Sequence, residues 1–246
     1  RITLPKVSYD FSFIQNLKTT WKLSNIDFKY IVKSWAFISI VLVGLVLMIV
    51  GLSEIGDIFG TPTLPVTWKM LNIGGIFAAS INICTFLYAG MLVHRAKIAK
   101  VNHIIDVTPV PNWTLLFSKL IALIKMQLLL LTVIMVSGIL FQIYKGYYNF
   151  EIGHYIMNLY FLDFLNYLIW ALLAIFIQTL IGNPYLGLFA LLVISIGIPF
   201  LSLAGVEQSI FKYNQGPGFS YSDMNGYGDL TQFLVYKTYW IFCGLA

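Results

Sequence analysis

Of the 246 residues, 59% are hydrophobic, 16% aromatic and only 10% charged. Roughly a quarter of a soluble domain's residues are charged, so that class is excluded along with disordered, collagen-like and coiled-coil chains, and two cysteines are too few for a disulfide-stapled secreted module. An integral membrane protein remains, and the formal charge of +5 needs no nucleic-acid partner, because membrane chains keep their basic residues on the cytoplasmic side.

Residues 1–34 are polar and aromatic. Phe11, Phe13, Ile14, Leu17 and Trp21 fall among Asn16, Lys18 and Lys22, the pattern of an interfacial helix lying flat before the first span. No short apolar core precedes a small-residue cleavage site, so a secretory signal is not expected. The chain begins at Arg1 and stops at Ala246 inside an apolar run, which reads as a piece of a longer polypeptide.

A spanning helix needs about 20 mostly apolar residues. Five such runs follow: Trp35 to Leu52, Met70 to Val93, Leu120 to Ile143 with only Lys125, Tyr155 to Ile181 (its spanning part 159–181) with only Asp163, and Tyr185 to Val206. A sixth, 233–246, is cut off. If 1–34, 94–119 and 182–184 share one side, that side holds ten Lys or Arg against three acids, and the other side three against six. That bias places the amino terminus in the cytoplasm. Trp35, Trp68, Trp113 and the tyrosines 144, 147, 148 and 155 stand at run ends, where amphipathic rings favour the interface.

Two loops are more than connectors. In 94–119, Ile98, Val101, Ile104 and Ile105 recur at helical spacing, with Arg95, Lys97 and Lys100 on the other face, which predicts a short amphipathic helix at the inner surface. Pro109 and Pro111 end it, and Lys119 opens the third span. The external segment 204–232 is rich in Gly, Asn, Tyr and Asp and includes Tyr221, Asp223, Asn225 and Tyr227. An ordered cap with short helical pieces dipping toward the bilayer is expected there.

Chemistry is sparse. HExxH, GxxxxGK[ST], GxSxG and CxxC patterns do not occur, and His94, His103 and His154 do not supply enough converging ligands for a metal. No catalytic residue, resident metal or cofactor is expected in this chain. Lys125 and Asp163 are the intramembrane charges weighed as sites. They lie at opposite depths, so they are not expected to pair, and snorkelling or helix packing accounts for both. The second span, with Asn72, Asn82, Thr85 and several small residues, is the most polar and is expected to face other helices.

This layout resembles the membrane domain of ABC-2 type transporters. The local match is HRAKIAKVNHIIDVTPVPNWTLLFSKLIAL at 94–123, which is similar to the family's basic segment, short apolar helix, proline-containing turn and lysine at the third span. A closer resemblance, carried by IIDVTPVPNW, FQIYKGYYNFEIGHY and YSDMNGYGDL, is to bacterial fusions of an ABC-2 permease with a gluzincin-type (M1 family) zinc aminopeptidase.

The resemblance implies an all-α integral membrane fold over 35–246, a six-span bundle in the bacterial inner membrane with its sixth span truncated. It implies a coupling helix at 94–119 carrying Arg95, Lys97, Lys100, Ile104, Ile105, Asp106, Pro109, Pro111 and Lys119, docking on a separate ATPase subunit that binds ATP. A second six-span half is implied as partner, as is a zinc peptidase domain elsewhere in the polypeptide. The function implied is export-type permease. The alternative is a membrane anchor for a fused enzyme, for which a basic inner helix near anionic lipid suffices.

Overall fold

A computed structural model of the chain describes residues 12–53, 57–58, 61–62, 64–101, 103, 107, 110–203, 205–219, 221–222, 224 and 226–245. About 79% of them are helical, as a membrane interior demands, because a helix satisfies its backbone polar groups within itself.

Helix α1 (Phe13–Val32) starts at Ser12, whose hydroxyl accepts from the Gln15 amide, a Ser-x-x-Gln capping arrangement. Its outer apolar residues Phe13, Ile14, Leu17 and Trp21 are exposed, as expected of a helix that lies in an interface. Ser34 then starts α2 (Trp35–Ser53), its hydroxyl accepting from the Phe37 amide at 3.2 Å and hydrogen-bonding Tyr88. Strands β1 (Asp57–Ile58) and β2 (Thr61–Pro62) pair antiparallel in a minimal hairpin.

Helix α3 (Thr67–Gly74), a 3-10 turn (Gly75–Phe77) and α4 (Ala78–Ile98) form one continuous apolar rod. Its most apolar window is 56% buried against 22% for α2, in line with the expectation that the second span faces other helices. Next come α5 (Asn112–Tyr144), the short α6 (Ile152–Tyr155), a π-helical stretch (Ile156–Asp163) and α7 (Phe164–Leu180). Asn183 caps α8 (Pro184–Phe200) by accepting from Tyr185 N at 2.9 Å, with Pro184 in the first turn. A 3-10 turn (Ser209–Phe211) and an isolated bridge between Ser222 and Gly226 lead to α9 (Thr231–Leu245).

Among the described residues, four helical stretches are long and apolar enough to cross a membrane: Trp35–Ser53, Thr67–Ile98, Asn112–Tyr144 and Ile152–Leu180; Pro184–Phe200 is shorter. Two of the shifts from the sequence boundaries have a visible cause. Helix α5 begins at Asn112 rather than near Leu120, since Pro111 supplies an extended N-cap backbone and nothing after it breaks the helix. The run expected to reach Val206 is helical only to Phe200, where Pro199 removes a donor at the last turn.

The core is closed by uncharged amides. Gln127 of α5 is fully buried and donates to Thr85 Oγ1 at 3.1 Å and to the Tyr167 carbonyl at 2.9 Å, joining α4, α5 and α7. At the far end of α5, Gln142 donates to the Pro65 carbonyl at 2.9 Å and accepts from the Tyr155 hydroxyl at 3.2 Å. Gln178 of α7 lies between two glycines, Gly90 of α4 and Gly187 of α8: a Cβ on the first would stand 2.8 Å from its Nε2, on the second 2.4 Å from its Oε1. These helices approach closely because both facing positions lack a side chain.

Candidate functional site

The end of the bundle that carries α1 gathers most of the predicted basic residues. Arg95 and Lys97 occupy the last turn of α4, where cations complement the helix dipole, so the amphipathic helix expected from residue 94 is, over 94–98, the end of the span helix itself. The helix stops at Ala99. Lys100 takes a left-handed conformation (φ 56°), and the amides of Lys100 and Val101 donate back to the carbonyls of Lys97 (3.1 Å) and Ala96 (3.0 Å), a Schellman closure with lysine where glycine is usual. Ile104, Ile105, Asp106 and Pro109 lie outside the described residues. Pro111 is the N-cap of α5, and Lys119 sits in its second turn, half-buried.

Helix α1 is fastened to both neighbours by charge. Asp27 accepts from Arg95 Nη1 at 2.7 Å, and the guanidinium lies 4.5 Å from the centre of the Tyr30 ring, a stacked cation–π contact. Burial holds the Asp27 carboxyl above its ordinary range, with Arg95 and then Lys119 opposing the shift. Lys125 reaches α1 from α5, donating to Ser24 Oγ at 2.7 Å and Asn25 Oδ1 at 2.6 Å with its ammonium 3.5 Å from the Trp21 ring centre. Of the two roles expected for Lys125, the geometry is that of helix packing. Beside the Asp27–Arg95 pair a cavity of about 490 Å³ opens between α1, α4 and α5, and Lys119 is in its wall.

At the opposite end, two residues of the 204–232 segment converge on His154. The Tyr227 hydroxyl lies 2.9 Å from His154 Nδ1 and 3.3 Å from its carbonyl oxygen, and the Tyr221 ring centre is 3.9 Å from the imidazole. Burial, then Tyr221, pushes the Tyr227 phenol up to about 12, so it stays a neutral hydrogen-bonding group. Asn72 joins His154 and Tyr221 in a hollow of about 190 Å³ lined also by Trp68, Asn158 and Phe219. Asp223 and Asn225 lie outside the described residues. Asn82 is apart from both ends, in α4, its Oδ1 buried without a partner among the described residues. Asp163 ends the π-helical stretch, partly buried, and no ion pair joins it to Lys125 among the described residues.

The sequence left Lys237 unweighed, although it is 4% exposed in the middle of α9. Its ammonium donates to the Asn214 carbonyl at 2.8 Å and to Asn214 Oδ1 at 2.9 Å. Asn214 donates to the Asn166 carbonyl at 3.2 Å, and the Tyr213 hydroxyl donates to the Ile169 carbonyl at 2.7 Å. Residues 213–214 are thus wedged between α7 and α9.

Compared with family models, with curated proteins and with solved structures, the chain matches none.

Proposed function

We propose that this chain is the membrane part of an ATP-driven transporter, a permease of export type organised as a six-span ABC-2 bundle with α1 on the cytoplasmic side. A separate ATPase subunit docks on the α1-bearing end, around 94–119. The observation that carries this reading is the double fastening of α1: Asp27–Arg95 ties it to α4, and Lys125 ties it to α5. A push delivered at that end is passed to two spanning helices at once, which is what coupling requires. Lys97 and Lys100 are exposed beside it and are suited to acidic side chains of a partner. The outward apolar face of α2, with Leu42, Val43, Val46 and Val50 exposed, is available to lipid or to a second six-span half.

The test is site-directed crosslinking. Photo-reactive residues placed at Lys97 and Lys100 in the full chain, in native membranes, are expected to capture an ATPase whose hydrolysis rate falls when both lysines become glutamate. Capture of no ATPase from membranes where the protein is intact would replace this reading with that of an anchor for a fused enzyme.

A further inference from the structure

The cavity beside the Asp27–Arg95 pair has walls of two kinds. Leu23 and Ile26 of α1, Leu92 and Ala96 of α4 and Leu115 of α5 make it apolar, while Arg95 and Lys119 bring cations to it. Asp27 is the single acid in the lining, and its carboxylate already accepts from Arg95 Nη1. Lys119 is half-buried and makes no hydrogen bond or ion pair among the described residues. An ammonium has three donors and no acceptor, and desolvating it without an acceptor is costly. Arg95 likewise keeps donors beyond the one given to Asp27. A second, shallower hollow of about 400 Å³ adjoins through Ile26 and Arg95 and adds Lys29 and Lys33. Across the two hollows one carboxylate faces four cations, and the apolar compartment lies next to the charged one.

We propose that this pair of hollows binds an anionic phospholipid, its phosphate held between Arg95 and Lys119 and one acyl chain lying along Leu23, Leu92 and Leu115. The larger volume is in the range of small-molecule sites. The place is an interfacial one: α1 presents an exposed apolar edge, and Phe13 stacks on Trp113 at 5.8 Å, rings that favour the headgroup region. Bound there, the lipid supplies the acceptor that Lys119 lacks and fills the gap under α1. The site does not depend on the transporter reading, since it needs only a bilayer containing anionic lipid.

The experiment is native mass spectrometry of the full chain in mild detergent with equal amounts of phosphatidylglycerol and phosphatidylcholine. One phosphatidylglycerol per chain is expected to be retained in preference to phosphatidylcholine. Lys119→Gln, which removes a charged hydrogen bond, is expected to lower retention roughly tenfold, whereas Lys119→Arg and the exposed Lys22→Gln retain the lipid. Ala96→Phe, which fills the apolar compartment and leaves every charge in place, is also expected to lose it. Monodisperse elution and an unchanged Tm establish that each variant is folded. Equal retention of the two lipids would overturn the proposal, as would equal losses from Lys119→Gln and Lys22→Gln, which mark diffuse surface attraction. Displacement of the lipid by millimolar inorganic phosphate would overturn it in favour of a soluble anion.

Discussion

Lys237 Nζ donates to both the carbonyl and the side-chain oxygen of Asn214, so one buried cation closes off both acceptors of a residue held in the left-handed region (φ 57°). Replacing Lys237 with Met leaves those oxygens unpaired between α7 and α9. A loss of about 2 kcal/mol is expected. A cysteine placed at Asn214's neighbour Gln215 should become more reactive to thiol reagents in Lys237→Met than in the parent; unchanged reactivity would mean that the bonds of Tyr213 and Asn214 to α7 suffice to hold the wedge.

Gln178 cannot retreat from a side chain at Gly187, because Gly90 confines it on the other side. Gly187→Ala is therefore expected to destabilise by about 1–3 kcal/mol through overpacking. Adding Gln178→Ala should recover much of that loss. A double-mutant cycle on thermal unfolding in detergent checks it, with additive effects as the opposing result.

Lys100 carries the left-handed closure of α4 without glycine's freedom. Lys100→Gly should raise stability by about 1 kcal/mol while removing a charge from the proposed docking face. A higher Tm combined with weaker ATPase capture would separate the two roles of this position.

For Asp27 the sign of the pH effect follows from burial. A carboxyl raised in the folded state contributes stability that is present below its unfolded value, ordinarily 3.8, and is lost as pH rises through the folded value. At neutral pH its charge therefore costs stability despite Arg95. Asp27→Asn should be folded at pH 7, and its Tm advantage over the parent should shrink on acidification toward pH 4. A Tm advantage that widens on acidification would show that the ion pair outweighs the burial.

Lys125 holds α1 through Ser24, Asn25 and the Trp21 ring. Lys125→Met should loosen the helix without unfolding the spans, seen as faster amide exchange over residues 20–28 with α7 unchanged. Exchange as slow as in the parent would assign the seat of α1 to its apolar contacts.

The apolar runs were legible because period and length are local properties, and so was the amphipathic α1. The end of α4 was not: residues 94–101 contain no proline or glycine, and the helix stops because Lys100 adopts a conformation for which glycine is the usual signal. Asp27 was invisible as a site residue because its partner lies 68 positions away. Gln127, Gln142 and Gln178 stand singly in otherwise apolar runs and carry no charge, so nothing local marks them, whereas in the fold these neutral amides carry hydrogen bonds between elements. Lys237 escaped because its partner Asn214 lies 23 positions earlier, in a segment without a regular period. Tyr221 and Tyr227 were named apart from Asn72, and only the fold brings Asn72 and Tyr221 to one hollow with His154, which Tyr227 contacts through its hydroxyl.

Helix α5 has 33 residues and is about 50 Å long, well beyond the roughly 30 Å of a bilayer's hydrocarbon. Lys119 and Lys125 sit toward one end and Gln142 at the other, without a proline or a π-turn between them to absorb bending. It is a stiff beam that carries a polar contact toward each end. A tilt of a few degrees where α1 is fastened therefore displaces the Gln142–Tyr155 contact by ångströms, and the two faces of this protein cannot change shape independently.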